Sequence, residues 1–150
     1  MPTDEGLELR LRRARPDEAD FFYQARTAGF KDHVEQVFGP WLDSFQRPLS
    51  DADFVELPVE IIECDGEPIG YQAIVRHDDH WFLDEIVLLP AMRNRGVGTR
   101  LVRDVMTAAR EAQVPLRLSV LHVNPAQALY ARLGFRIERI EHPRVKMVWP

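Results

Sequence analysis

The feature that most constrains this chain is a basic, glycine-bearing segment, Arg93-Asn94-Arg95-Gly96-Val97-Gly98-Thr99, set between an apolar run and an amphipathic one. Residues 81–89 are unusually apolar, which predicts a strand in the middle of a sheet, and Pro90 ends it. Residues 98–112 carry Leu101, Val102, Val105, Met106 and Ala109 on one helical face. Residues 116–121 form another apolar strand, so the segment lies inside a β-α-β crossover. The start of a helix offers unpaired N–H groups and a partial positive charge. Glycines at 96 and 98 permit positive φ and close backbone approach. Such a nest of donors suits a diphosphate, and Arg93, Arg95 and Arg100 add full charge. The alternative is a strand-to-helix turn with no ligand. Two other phosphate motifs fit poorly. No Gly-Lys-Ser/Thr triplet follows the loop, and position 101 is Leu where a dinucleotide fingerprint needs a third glycine.

The remaining elements follow from period and punctuation. Leu7, Leu9 and Leu11 alternate with charged residues and mark a first strand. Pro16-Asp17-Glu18 opens a helix with Phe21, Phe22, Ala25 and Ala28 on its apolar stripe. A second helical stretch is expected over residues 31–45, interrupted near Gly39-Pro40, and residues 48–57 read as a loop. Strands over 59–63 and 69–75 flank an Asp65-Gly66-Glu67-Pro68 turn. Asn124-Pro125 opens a short helix, with Asn124 as cap, and Gly134 stops it. A hairpin over 135–141 and 145–149 closes the chain. The order β-α-α-β-β-β-α-β-α-β-β predicts an α/β fold: a mixed, mostly antiparallel sheet with helices on both faces. At 150 residues, without repeats or linkers, one domain is the simplest organisation.

Together these segments resemble the GNAT superfamily of acyl-CoA-dependent N-acetyltransferases. Arg93-x-x-Gly96-x-Gly98 is similar to that family's pyrophosphate loop, Leu88-Leu89-Pro90 to the end of its central strand, and Asn124 with residues 126–130 and Leu133-Gly134-Phe135 to its second block. The resemblance covers nearly the whole chain. It implies acetyl-CoA as cosubstrate, with the diphosphate on Arg93, Asn94, Arg95, Gly96, Val97, Gly98 and Thr99. It further implies that the pantetheine pairs with the strand backbone near Leu88, which splays from the strand at 116–121, and that Asn124 lies beside it.

The same resemblance makes Tyr130 the candidate general acid for the departing thiolate. Ala126, Leu129, Tyr130 and Leu133 also form a helical stripe, so core packing is its other reading. Glu85, a carboxylate inside an apolar strand, is the candidate base for an ammonium acceptor, its pKa raised by burial; a solvent-facing structural carboxylate is the alternative. Asp84 faces the opposite side in a regular strand, though a bulge changes that. The implied reaction is direct transfer of an acetyl group to an amine of a small molecule or polypeptide. A non-catalytic acyl-CoA-binding module or sensor is the competing reading.

A net charge of −5 disfavours nucleic acid as a partner. No apolar run reaches membrane-span length, and the opening residues do not resemble a signal peptide. One cysteine, Cys64, reads as a buried strand thiol and fits a reducing compartment, with cytoplasm as the default. His77-Asp78-Asp79-His80 reads as a hairpin tip rather than a metal site, so no metal is expected. Trp41, Phe45 and Trp81 either line an acceptor pocket or belong to the core. Asp32, Glu35, Asp43, Asp51 and Asp53 either attract a cationic amine or form a solvated surface. A homodimer is compatible with the resemblance.

Overall fold

The computed structural model describes residues 7–150. Among them, seven strands form one sheet: β1 (Leu9–Arg13), β2 (Val59–Cys64), β3 (Glu67–Arg76), β4 (Trp81–Leu88), β5 (Leu116–Leu121), β6 (Arg136–Glu141) and β7 (Arg144–Trp149). Their spatial order is β1-β2-β3-β4-β5-β7-β6. Every pair is antiparallel except β4 with β5, the strands joined by the crossover helix α3 (Val97–Glu111). The other helices are α1 (Ala19–Phe38), α2 (Asp43–Glu56) and α4 (Ala126–Leu133). The element order and the mixed sheet agree with the sequence expectation.

Alternation in the strands builds a core on each face. Val59 and Ile61 of β2 pack with Phe22 and Ala25 of α1, Tyr71 and Val87. Ile62 and Cys64 point the other way and meet Val97 and Leu101 at the start of α3. Farther along α3, Val102, Val105, Met106 and Ala109 pack with β5, β7, Tyr130 and Phe135. Two glycines set the spacing of the layers. A Cβ on Gly70 would lie 2.1 Å from the Val87 carbonyl oxygen, so β3 approaches β4 only without a side chain there. A Cβ on Gly29 would lie 3.1 Å from Val87 Cγ1, so α1 rests closely on β4.

The helical region differs from the expectation. α1 runs unbroken from Ala19 to Phe38, and Gly39, at φ 93°, ends it. Residues 48–57 are not a loop: α2 covers Asp43–Glu56 with Pro48 inside it. Proline there forfeits one backbone hydrogen bond, and tertiary contacts offset the loss. Phe54 packs on Phe22 at 5.4 Å between ring centroids, and Ser50 is fully buried. Arg47 pairs with Asp20 and Asp51, and the Tyr23 hydroxyl donates to Asp43. These polar ties leave little apolar periodicity in α2 for a sequence reading to find. No helix among the described residues is long and apolar enough to cross a membrane.

Candidate active site

The site originates in a seam. β4 and β5 pair at only two rungs, Trp81 with Leu116 and Phe82 with Arg117, and then diverge. Beyond that point lies a cleft of about 660 Å³. Residues 83–88 line one wall and 118–121 the other, with Asn124 and Tyr130 at the far side and α1 and α2 above. Strand backbone along a divergent seam lacks its neighbouring ladder, so an extended polar chain has groups to pair with there.

The glycine segment lies at one end of this cleft. Pro90–Met92 makes a single 3₁₀ turn after β4. Asn94 at φ 61° and Gly96 at φ 81° then turn the chain into α3, with Gly96 as N-cap. The first-turn amides of Val97, Gly98 and Thr99 have no intrahelical acceptor. A Cβ on Gly98 would meet only Leu88 Cδ1, at 3.8 Å, so the protein leaves room above this residue. The Arg93 guanidinium donates to the Leu88 carbonyl at 3.2 Å and to the Ala28 carbonyl at 3.1 Å, stapling α1 to the end of β4. Arg95 is half-buried in the same turn, and Arg100 donates to the Leu7 carbonyl at 2.9 Å.

On the opposite wall, Asn124 Oδ1 accepts from the Ala126 amide at 2.9 Å, the cap expected from sequence, while the residue also lines the cleft. Tyr130 is buried, edge-on to Phe135 at 5.5 Å, and borders the same cleft. It thus packs in the core and borders the cleft at once. Burial pushes its phenol up to about 12, so it keeps its proton at neutral pH.

Glu85 also borders the cleft, but not as an isolated carboxylate. The Arg26 guanidinium donates to its two oxygens at 2.9 and 3.1 Å, and the Tyr71 hydroxyl donates to Oε2 at 2.8 Å. Arg26 also pairs with Asp53 of α2 at 3.0 Å and lies over the Phe22 ring. Burial raises the Glu85 pKa, opposed by the Arg26 charge and the Tyr71 hydroxyl. Burial works against the Arg26 charge too, but Glu85 and Tyr71 keep it raised and ionised. Tyr71 is held well above its usual value, first by burial and then by the adjacent Glu85 charge.

A bulge brings a second carboxylate in. Ala73 pairs with Glu85 and Ile74 with Leu83, which leaves Asp84 as an extra residue on β4. Asp84 and Glu85 both line the cleft instead of facing opposite ways. Asp84 makes no ion pair or hydrogen bond among the described residues. Burial raises its pKa, helped by the charge of Asp53 and opposed by Arg26 and Arg144.

Other candidates separate. Trp41 lines the cleft, Phe45 is exposed, and Trp81 packs against the core beside the last parallel rungs. Of the five acids, Asp32 and Asp53 line the cleft, Asp43 accepts from Tyr23, Asp51 pairs with Arg47, and Glu35 accepts from the Trp41 amide. Cys64 is a buried thiol on β2. His77 and His80 stack at 4.6 Å in the β3–β4 turn, and no group of three or more His, Cys, Asp or Glu among the described residues is placed to hold a metal ion. The Arg26–Glu85–Tyr71 cluster escaped the sequence reading. One signal for it existed: Arg26 follows Phe22 by four residues, so it lies on the stripe of α1 that faces the sheet.

The fold is shared with solved acetyltransferase structures. A solved complex of PaiA N-acetyltransferase from Thermoplasma acidophilum with coenzyme A superposes with a TM-score of 0.73 at 12% identity, over 94% of this chain and 98% of that one. An acetyltransferase structure from Thermus thermophilus gives 0.73 at 21% identity, over 96% and 97%. At these identities the likeness is one of fold. Mycothiol acetyltransferase of Nocardia farcinica is 40% identical over 81 residues, which is 53% of this chain and 26% of that protein. The chain thus spans about a quarter of the length of that curated relative. The model of the acetyltransferase (GNAT) family matches residues 19–135, a span from the start of α1 to two residues past α4 that takes in the glycine turn, the seam, Glu85 and Tyr130, and on that match the chain belongs to the GNAT family.

Proposed function

We propose that this chain transfers an acetyl group from acetyl-CoA to an amine by direct attack in a ternary complex. The observation that carries this reading is the divergence of β4 from β5 beside the glycine turn: a slot for an extended arm, with an anion site at its end. The fit is supported by the space over Gly98 and by the buried Ser119 hydroxyl on β5, which has no hydrogen-bond partner among the described residues. When bound, acetyl-CoA supplies the activated acetyl group as a thioester.

The chain's own groups then divide the work. Amides of residues 95–99 hold the diphosphate, with Arg95 adding charge and Arg93 fixing the turn through its two carbonyl contacts. Backbone near Leu88 aligns the arm along β4. Asn124 borders it from the other wall. Tyr130, protonated at neutral pH, donates toward the departing sulfur. Glu85 accepts the acceptor's proton at Oε1 or Oε2, oriented by Arg26 and Tyr71. The acceptor enters beneath α1 and α2, between Trp41 and Asp53 on one side and Asp84 on the other. An amine is favoured there because Asp84 offers a carboxylate with no cation bound to it among the described residues. The buried, lone Cys64 suits a reducing compartment, and we place the reaction in the cytoplasm.

The test pairs calorimetry with turnover. Acetyl-CoA should bind the wild-type chain, and a panel of amines should release CoA. A Cβ at Gly98 meets only the Leu88 side chain at ordinary contact distance, so Gly98→Val crowds the space over the turn and a folded variant should lose binding. Unchanged affinity in that variant would move the diphosphate elsewhere. Binding without release by any amine would leave the non-catalytic module.

A further inference from the structure

Most charged side chains that line the cleft already have partners. Arg26 is shared between Glu85 and Asp53, and Arg93 donates to two backbone carbonyls. Asp32 is exposed on the later turns of α1. On the strand walls two ions remain, and they are of opposite sign. Asp84 is the bulge residue of β4, and Arg144 opens β7. Neither side chain makes an ion pair or hydrogen bond among the described residues.

The sheet fixes where Arg144 stands. Val145 and Met147 of β7 belong to the core under α3 and α4, so Arg144 faces the other side, where α1 and α2 lie. The turn before it is held to the end of β5 by the His122 amide, which donates to the Pro143 carbonyl at 2.8 Å. Glu141 opposes Arg144 in the final hairpin, but Arg139 and Lys146 engage it. The Arg144 charge is therefore left uncompensated, beyond β5 from Asp84. Burial raises the Asp84 pKa and the Arg144 charge pulls it back, so the two groups feel each other although no bond joins them.

A carboxylate and a guanidinium that border one cleft without meeting suit a ligand carrying both opposite charges. An ammonium alone would use only Asp84, and a diamine would meet repulsion at Arg144. A carboxylate matches the guanidinium fork and brings a single negative charge, which one arginine balances. A phosphate monoester would bring nearly two into a cleft that already holds Asp53, Asp84 and Glu85. The rest of the mouth is apolar. Trp41 is held by its Nε1 donating to the Tyr23 hydroxyl at 3.1 Å, and Leu49 of α2 lies beside it on the cleft with 49% of its surface exposed.

We propose that the acceptor is a free α-amino acid with an apolar side chain, its ammonium on Asp84, its carboxylate on Arg144 and its side chain against Trp41 and Leu49. This rests on the acetyl-transfer reading above and specifies its acceptor. The nitrogen–carbon bond forms as the carbon–sulfur bond breaks. The ammonium loses two protons in all: one replaces the proton that Tyr130 gives to the sulfur, and the other leaves through Glu85 to solvent. An N-acetylated amino acid and CoA are the products.

The test measures CoA release with phenylalanine, its primary amide and 2-phenylethylamine, which share an amine and a ring and differ at the carboxylate. In wild type, kcat/KM for the acid should exceed that for the other two by about 10–100-fold. The amide carries more free amine at neutral pH, so amine basicity works against this order. Arg144→Gln should raise KM for the acid and bring the ratio of acid to amide near unity. Arg144→Lys should keep part of the preference, and Arg144→Glu should invert it. Position 144 is exposed, and circular dichroism checks that each variant is folded. A wild type that uses the acid no better than its amide overturns the proposal, and so does a preference that survives Arg144→Glu. Release from amines with no preference for a carboxylate removes this acceptor and leaves acetyl transfer standing; no release with any acceptor removes both.

Discussion

The Tyr71 hydroxyl offers a way to move the proposed base without touching it. Tyr71→Phe deletes the donor at 2.8 Å from Glu85 Oε2 and leaves the ring against Phe22, at 4.4 Å between centroids. A hydrogen bond to a charged group is worth about 1.5–3 kcal/mol. It favours the carboxylate over the carboxylic acid, so removing it raises the pH at which Glu85 takes up a proton. At about 1.4 kcal/mol per tenfold change in proton affinity, the acid limb of kcat/KM should move up by about 1–2 pH units. Arg26 still holds both oxygens, which argues for the lower end. Above the displaced limb the rate should return close to wild type, since no reacting group has been lost. Below it, activity at a fixed pH should fall by about 10–100-fold. The assay is CoA release across a pH series from mildly acidic to alkaline with one good amine, with acetyl-CoA affinity checked separately. An acid limb that does not move, in a folded variant with unchanged cofactor binding, refutes Glu85 as the group that titrates. The uncompensated Asp84 would then inherit the proton.

Tyr130→Phe should lower kcat by about 10²–10⁴-fold while acetyl-CoA affinity stays within a few-fold, because the ring still packs on Phe135; a wild-type kcat would leave Tyr130 as packing alone. Gly70→Ala forces β3 away from the Val87 carbonyl and should cost at least about 2–3 kcal/mol, lowering Tm by roughly 5–10 °C in a thermal melt. Glu18 is held at about 2, mainly by the two hydrogen bonds from Arg12. Its stabilisation is therefore complete above its usual 4.5 and fades as pH falls from there through about 2. Glu18→Gln should lose about 1–3 kcal/mol at neutral pH, after allowing for partial solvent screening, and show a flatter acid-denaturation curve over that window.

The parts of this molecule that were legible in sequence share one property: they are set by local pattern. Strand alternation at Val59–Cys64, the apolar face of Val97–Glu111 and the glycines at 96 and 98 each declare themselves within a few residues. What stayed hidden depends on distant partners. α2 carries Pro48, buries Ser50 and half-buries Phe54 with few other apolar contacts, so its stability comes from Arg26, Tyr23 and the face of α1 rather than from its own stripe. The environment of Glu85 is assembled from α1 and β3, 59 and 14 residues away in the chain. Asp84 enters the cleft because β4 holds one residue more than β3 at that point, a count that exists only once the two strands are paired.

The two-rung contact between β4 and β5 also shapes how the protein behaves without its cosubstrate. A sheet that opens in its middle has, in effect, two inner borders in addition to the outer ones at β1 and β6. Amides along those borders exchange with solvent more readily than their central position implies. The halves to either side, β1 to β4 and β5 with the final hairpin, share those two rungs and the core cluster packed under α3. A molecule that fills the slot supplies the missing rungs and couples the halves. Its binding energy is then also cohesion of the sheet, about 2.7 kcal/mol at a ligand concentration roughly one hundred times its dissociation constant. For a chain built this way, limited proteolysis without acetyl-CoA is expected to cut faster than with saturating acetyl-CoA, because the unfilled seam opens more readily.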